Sequence, residues 1–307
     1  MNNKKVYLAD AALLLTALVW GSGFVATKNA LDHYSPTEIL LIRFGLAALI
    51  TGVFFFRKIF PLHMKEVRAG MVIGVFLFLG FAFQTAGLQY TLAGKQAFLT
   101  GTNVIMVPFL YWFLKREKPD KYNLAAAVMM FAGIAFLTLD FANSLFLNKG
   151  DVLTLICALF FACHILSIGF FAKTYDPIKL TFVQFATTFT LSGVWRVFTG
   201  EGIFRLPTQY WSDVLFLGIF STFLAFLLQN VAQRHTSSTH AAVLLSLESF
   251  FGSVLSILLL GDLFSPKMIL GCIIIFAAII TAETKWSFLP GRALSESIEQ
   301  PSERSVS

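Results

Sequence analysis

Ten apolar stretches, each about one bilayer thick, fill almost the whole of this 307-residue chain, and they decide the solvent in which it folds. In hydrocarbon no water satisfies the backbone, so every N–H and C=O must bond internally, as in helices or closed barrels. Stretches of about 20 residues suit helices crossing a core about 30 Å thick. They fall at 8–28, 37–56, 68–89, 94–114, 122–140, 151–172, 178–198, 210–232, 240–260 and 267–284. The fold class expected is an all-α membrane protein of ten transmembrane helices. Pro36, Pro61, Pro119, Pro177, Pro207 and Pro266 stand at or just before span starts, where a missing N–H costs little.

Composition excludes the soluble classes. Hydrophobic residues are 57% and charged residues 13%, against about 25% charged in soluble domains. The 35 phenylalanines suit a surface facing membrane lipid. A net charge of +6 is no nucleic-acid signal, because the basic residues sit in short loops beside apolar segments. There they set orientation: a cytoplasmic N-terminus puts sixteen Lys and Arg inside and six outside or at the outer rim, so both termini are expected in the cytoplasm. Residues 1–7 form a short N-terminal segment, and 286–307, rich in Ser and Glu, read as a disordered cytoplasmic tail. The run from Leu8 to Lys28 exceeds a signal-peptide core and lacks a small-residue cleavage site, so it reads as a permanent span. Cys157, Cys163 and Cys272 have neither disulfide nor metal spacing. No cofactor or metal is expected.

The chain repeats itself. An offset of 141 carries Pro36 to Pro177, Arg43 to Gln184 and Phe44 to Phe185; an offset of 145 carries Gln84 to Gln229, Thr91 to Thr236, Ala97 to Ala242, Asn103 to Glu248 and Glu117 to Asp262. Residues 8–140 and 151–285 then hold five spans each. Five is odd, so the second unit enters the membrane from the opposite side. Inverted repeats of this kind characterise alternating-access carriers, with the site near the midplane at the repeat interface.

Particular motifs carry a resemblance. They are Val19-Trp20-Gly21-Ser22-Gly23-Phe24 followed by Lys28, Ile42-Arg43-Phe44, Phe113-Leu114-Lys115-Arg116-Glu117-Lys118-Pro119, Leu245-Ser246-Leu247-Glu248-Ser249, and Leu258-Leu259-Leu260-Gly261-Asp262. In this order over residues 8–285 they resemble the EamA-type branch of the drug/metabolite transporter superfamily. The resemblance implies a multi-pass carrier of two inverted five-helix repeats, an exporter of amino acids or small metabolites, with the fifth and tenth helices peripheral. The chain departs from the pattern at Ser249, where many relatives have Pro after the glutamate, and at Asp262, where Glu is usual. The first departure puts a helix break at that point in question.

Polar groups in the spans are the candidate site, because intramembrane charges are costly. Arg43 reads as a clamp for a substrate carboxylate, or else as an arginine bonding carbonyls or snorkelling. Glu248, about 14 Å into its span, either carries a coupling proton, binds a substrate ammonium, or bonds neutrally across helices; its counterpart Asn103 shares that depth. Gln84 and Gln229, with Gln89, Gln184 and Asn230, suit a polar metabolite or serve as interhelical glue. Thr102 shares a face with Lys95, itself read as a rim charge. Trp20 beside Ser22 suits a cavity wall, and His164 reads as a packed hydrogen-bonder or a proton carrier.

The leading function is a secondary carrier for a small polar metabolite or amino acid; no Walker motif is present. The alternatives are an intramembrane enzyme, for which Ser22 and His164 would be nucleophile and base, and a channel. Proton coupling and homodimer formation are left open.

Overall fold

A computed structural model describes residues 3–139, 147–201 and 210–285. The tail 286–307 and most of the connection before Tyr210 lie outside the described residues. Consecutive helices are α1 (Asn3–Ala30), α2 (Pro36–Phe54), α3 (Met64–Leu88), α4 in two segments (α4a, Ala93–Gly101; α4b, Asn103–Lys115), α5 (Lys121–Thr138), α6 (Lys149–Phe171) and α7 (Pro177–Phe198). They continue with α8 (Trp211–Gln233), α9 in two segments (α9a, Ser238–Ser246; α9b, Glu248–Leu260) and α10 (Pro266–Thr284), and a single helical turn, Phe56–Ile59, stands between α2 and α3. Every apolar stretch of the sequence therefore becomes a helical rod, and among the described residues eight rods are long and apolar enough to cross a membrane. The chain is an integral membrane protein.

Two rods fall outside those eight. Helix α10 carries an apolar run over Pro266–Ala282. In α7 the reason is polarity: Thr181, Gln184, Thr188 and Ser192 are all buried and turned inward, which suits a helix that lines a polar interior.

Local chemistry explains where the helices start. Ser35, Asp120, Asn148, Asp176, Ser237 and Ser265 each accept from a backbone N–H of the next helix, satisfying donors with no intrahelical partner. Pro36, Pro177 and Pro266 open α2, α7 and α10. Large apolar side chains such as Phe54, Phe113, Phe131, Phe198 and Leu258 remain exposed, an arrangement that suits lipid rather than water. The interior is aromatic: Phe44, Phe81, Phe185 and Phe226 pack together among α2, α3, α7 and α8.

Three departures from regular helix shape the interior. The α4 and α9 rods, expected to be continuous, are broken at Thr102 (φ −63°, ψ −14°) and Leu247 (φ −61°, ψ −14°). At each break the N–H bonds the carbonyl three residues back, Leu99 and Leu244, the tightened turn of a 3₁₀ step. The break at Leu247 forms although Ser249 follows Glu248 where proline would mark it. The third departure is a π-helical stretch, Leu217–Leu224, inside α8.

The two broken rods match residue for residue at the 145 offset. Ala93, Gly101, Asn103 and Lys115 bound the segments of α4, and Ser238, Ser246, Glu248 and Leu260 those of α9. Each rod ends on a left-handed residue, Arg116 (φ 64°) and Gly261 (φ 69°), also 145 positions apart. Helices α5 and α10 pack on each other and contribute nothing to the central cavity.

Candidate functional site

The two breaks meet at a cavity in the middle of the bundle. Its wall includes Trp20, Phe24 and Thr27 of α1, Arg43 of α2, Phe81 and Gln84 of α3, Gln96 and Asn103 of α4, and Phe161 and His164 of α6. Ser221, Phe226 and Gln229 of α8 and Leu245 and Glu248 of α9 complete it. The space is narrow, a cavity of about 40 Å³, room for more than one water.

Arg43 is 2% exposed and is held by the π-helical stretch of α8. Its Nε donates to Thr222 Oγ1 at 2.9 Å and its Nη2 to Ser221 Oγ at 3.4 Å. The guanidinium carbon stands 4.2 Å from the Phe81 ring centre, a cation–π distance. Trp20 Nε1 donates to the Ser221 carbonyl at 3.0 Å and its ring packs 4.8 Å from Phe226. Such π-helical stretches often mark functional positions, because they re-aim side chains and carbonyls. No carboxylate pairs with Arg43 among the described residues.

Glu248 is 6% exposed and makes neither a hydrogen bond nor an ion pair among the described residues. It opens α9b, where the helix dipole favours a negative charge. The same cavity wall carries underused amides. Asn103 Oδ1, Gln96 Oε1 and both polar atoms of Gln229 are buried without a hydrogen-bond partner among the described residues. A buried amide left unpaired costs free energy, so this wall is suited to a ligand that both donates and accepts. One cavity thus holds a guanidine group, a carboxyl group and several amide groups, between aromatic rings.

The remaining residues expected in the site divide clearly. His164 lines the cavity and bonds Gln184 Oε1 through Nε2 at 3.0 Å; Gln184 stands behind it. Gln84 lines the cavity, reaching Thr100 Oγ1 at 3.4 Å. Asn230 is turned away and donates to Thr181 Oγ1 at 2.8 Å. Three of the expected residues do not line the cavity. Ser22 is not part of the cavity wall, and its hydroxyl donates to the Val19 carbonyl at 2.8 Å. Gln89 is exposed at the end of α3. Thr102 forms the break itself, its hydroxyl donating to the Leu99 carbonyl at 2.7 Å.

Lys95 is no rim charge. It is buried, with Nζ 2.6 Å from Asp151 Oδ2, and Thr91 donates to the other carboxylate oxygen at 3.0 Å. Sequence reading missed Asp151 because an acid in the first turn of a span looks like a boundary charge.

Comparison with known proteins agrees with this architecture. A model of the EamA-like transporter family matches twice, over residues 7–139 and 148–283. A protein of Archaeoglobus fulgidus named an uncharacterized transporter is 37% identical over 277 residues, covering 90% of this chain and 86% of that protein. The uncharacterized transporter YyaM of Bacillus subtilis is 20% identical over 295 residues, 92% of this chain and 94% of its own length. A solved crystal structure superposes with a TM-score of 0.68 at 15% identity, covering 95% of this chain and 99% of its own; at that identity the likeness concerns the fold.

Proposed function

The chain belongs to the EamA-like transporter family, and from that premise we propose that it is a secondary carrier exporting small polar metabolites such as amino acids. It works by alternating access to the central cavity, in an inner membrane, with both termini in the cytoplasm. Ten spans form two inverted five-helix repeats, 8–140 and 151–285. The matched breaks at Thr102 and Leu247 and the double family match support the repeat, and the Lys and Arg distribution supports the orientation.

One observation carries the substrate reading. Arg43 and Glu248 line the same cavity, and neither has an ionic partner among the described residues. A lone buried charge is costly in a membrane. A zwitterion supplies both partners, its carboxylate to Arg43 and its ammonium to Glu248, while Asn103 and Gln229 bond its polar side groups. The aromatic rings of Trp20, Phe81, Phe161 and Phe226 enclose its apolar part. Selection then arises from opposite charges held apart by a narrow space.

A metabolite library screened by thermal shift on purified protein tests this reading. Small zwitterions should raise the melting temperature, and Glu248→Gln and Arg43→Met should each abolish the rise. Full-sized shifts retained in both variants, or hits confined to uncharged apolar compounds, would contradict it.

A further inference from the structure

Two acid–base side-chain pairs stand on opposite sides of the cavity, and the repeat offsets carry one onto the other. Lys95 pairs with Asp151 at 2.6 Å, and His240 pairs with Asp10 at 3.0 Å. Lys95 and His240 are 145 positions apart, the offset that carries Asn103 to Glu248; Asp10 and Asp151 are 141 apart, the offset that carries Pro36 to Pro177. Each pair joins the same two kinds of element: the first segment of a broken rod and the first helix of the opposite repeat. Lys95 and His240 each stand eight residues before the residue that opens the second segment of its rod, Asn103 or Glu248, about 12 Å along the helix. One pair therefore lies near the face that carries the N-terminus and the other near the opposite, distal face.

We propose that these pairs are the two gates of the cavity, Lys95–Asp151 closing it distally and Asp10–His240 closing it at the N-terminal face. This rests on the alternating-access reading above. Gln96, next to Lys95, lines the cavity and donates to Thr154 Oγ1 at 3.1 Å, one turn of α6 beyond Asp151. Breaking Lys95–Asp151 releases α4a from α6 where the cavity wall ends. At the other face Asp10–His240 ties α1 to α9a, five residues before the cavity residue Leu245.

The gates differ in state. The side chains of Lys95 and Asp151 are 11% and 0% exposed, whereas those of His240 and Asp10 are 36% and 28% exposed. The structure is thus latched at the distal face, with the N-terminal gate made but in contact with solvent. In a repeat whose halves exchange roles, opening one pair and burying the other is a single motion, and the two pairs supply its end points.

Sided labelling tests the assignment. With Cys157, Cys163 and Cys272 replaced by Ala, the substitution Asn103→Cys puts one thiol at the break. A membrane-impermeant maleimide is applied from each side in right-side-out and inside-out vesicles. Asp151→Asn should raise the labelling rate severalfold from the distal face alone, and Asp10→Asn from the N-terminal face alone. The double variant Lys95→Met with Asp151→Asn leaves no unpaired buried charge; it should behave as Asp151→Asn does and covers the case in which that variant misfolds. If both faces reach the thiol at rates that ignore these substitutions, the gates are wrong and the carrier stands. If one face alone reaches it in every variant, alternating access fails and the gates fail with it.

Discussion

The two places where a broken rod crosses its partner are equivalent by sequence offset but built from different materials. At the distal crossing α4a lies against α9b through a serine stripe. Ser249 donates to the Ala97 carbonyl at 2.8 Å, Ser253 to the Gly94 carbonyl at 3.0 Å, and Gly94 N–H donates to Ser256 at 3.0 Å. Asp262 joins Ser256 and accepts from the same N–H at 3.3 Å. Gly101 is in close approach, for a methyl group there would run into the Ser249 hydroxyl. At the other crossing α4b meets α9a through Val104, Ile105, Ala241, Ala242 and Leu245. The residues 145 positions before Ser249, Ser253 and Ser256 are Val104, Pro108 and Tyr111. Small residues and hydroxyls let helix backbones come close and bond; bulky apolar ones hold them apart by shape alone. Together with the unequal burial of the two acid–base pairs, this difference makes the distal side the stable closure and the N-terminal side the weaker one.

The comparison can be broken most sharply through its charges. Asp151→Asn leaves Lys95 buried without its carboxylate and should cost about 3–5 kcal/mol, whereas Asp10→Asn, at a half-exposed pair, should cost about 0–1 kcal/mol. Thermal unfolding in detergent measures both, and equal costs would erase the asymmetry. Next in size, Gly101→Leu should destabilise by about 1–3 kcal/mol through overpacking and should raise access from the distal face. A smaller effect is expected from the stripe: Ser249→Ala and Ser253→Ala should each cost about 0.6 kcal/mol and at most about 1.7 kcal/mol, as interhelical hydrogen bonds in membranes do. Costs well above that would mean that the hydroxyls, rather than close backbone approach, hold the crossing.

The smallest prediction concerns the distal rim, away from both crossings. Glu201, past the end of α7, accepts from Ser35 Oγ and Thr37 Oγ1, each at 2.6 Å, and from Arg196 at 2.7 Å. Burial raises its pKa, but the hydrogen bonds from Ser35 and Thr37 and the charge of Arg196 outweigh that and hold it below the usual carboxylate value. A carboxylate with a depressed folded-state pKa stabilises above its ordinary pKa and loses that contribution as pH falls through the folded value. The melting temperature of wild type should therefore fall on acidification somewhat more than that of Glu201→Gln. Identical acid profiles would remove Glu201 from the rim's stability.

The features that could be read without coordinates are those set by residue type and spacing. Pro36, Pro177 and Pro266 mark helix starts because the ring constrains φ and lacks a donor. Arg43, Asn103, Glu248 and Gln229 stood out as polar groups deep in apolar spans. Helical phase was the neglected signal for Ser22: two residues from Trp20, it lies about 200° around the helix, and Trp20, Phe24 and Thr27 are the ones that share the cavity face. The same offsets carry Asp10 to Asp151 and Lys95 to His240, a match that goes unnoticed because charges near span ends look like rim charges until their burial is seen. The breaks at Thr102 and Leu247 and the π-helical stretch at Leu217–Leu224 were not legible. No proline or glycine stands at either break residue, and neighbouring helices, not local propensity, impose such irregularities.

The central claim is that Arg43 and Glu248 bind opposite ends of one substrate in a cavity that opens to each side in turn. Counterflow of a hit from the metabolite screen, in proteoliposomes loaded with the unlabelled compound, tests this most directly. The account predicts saturable, competable uptake stimulated by internal substrate, and its loss in Arg43→Met and Glu248→Gln at preserved folding. Uptake that rises linearly with concentration, or that survives both substitutions unchanged, would contradict it.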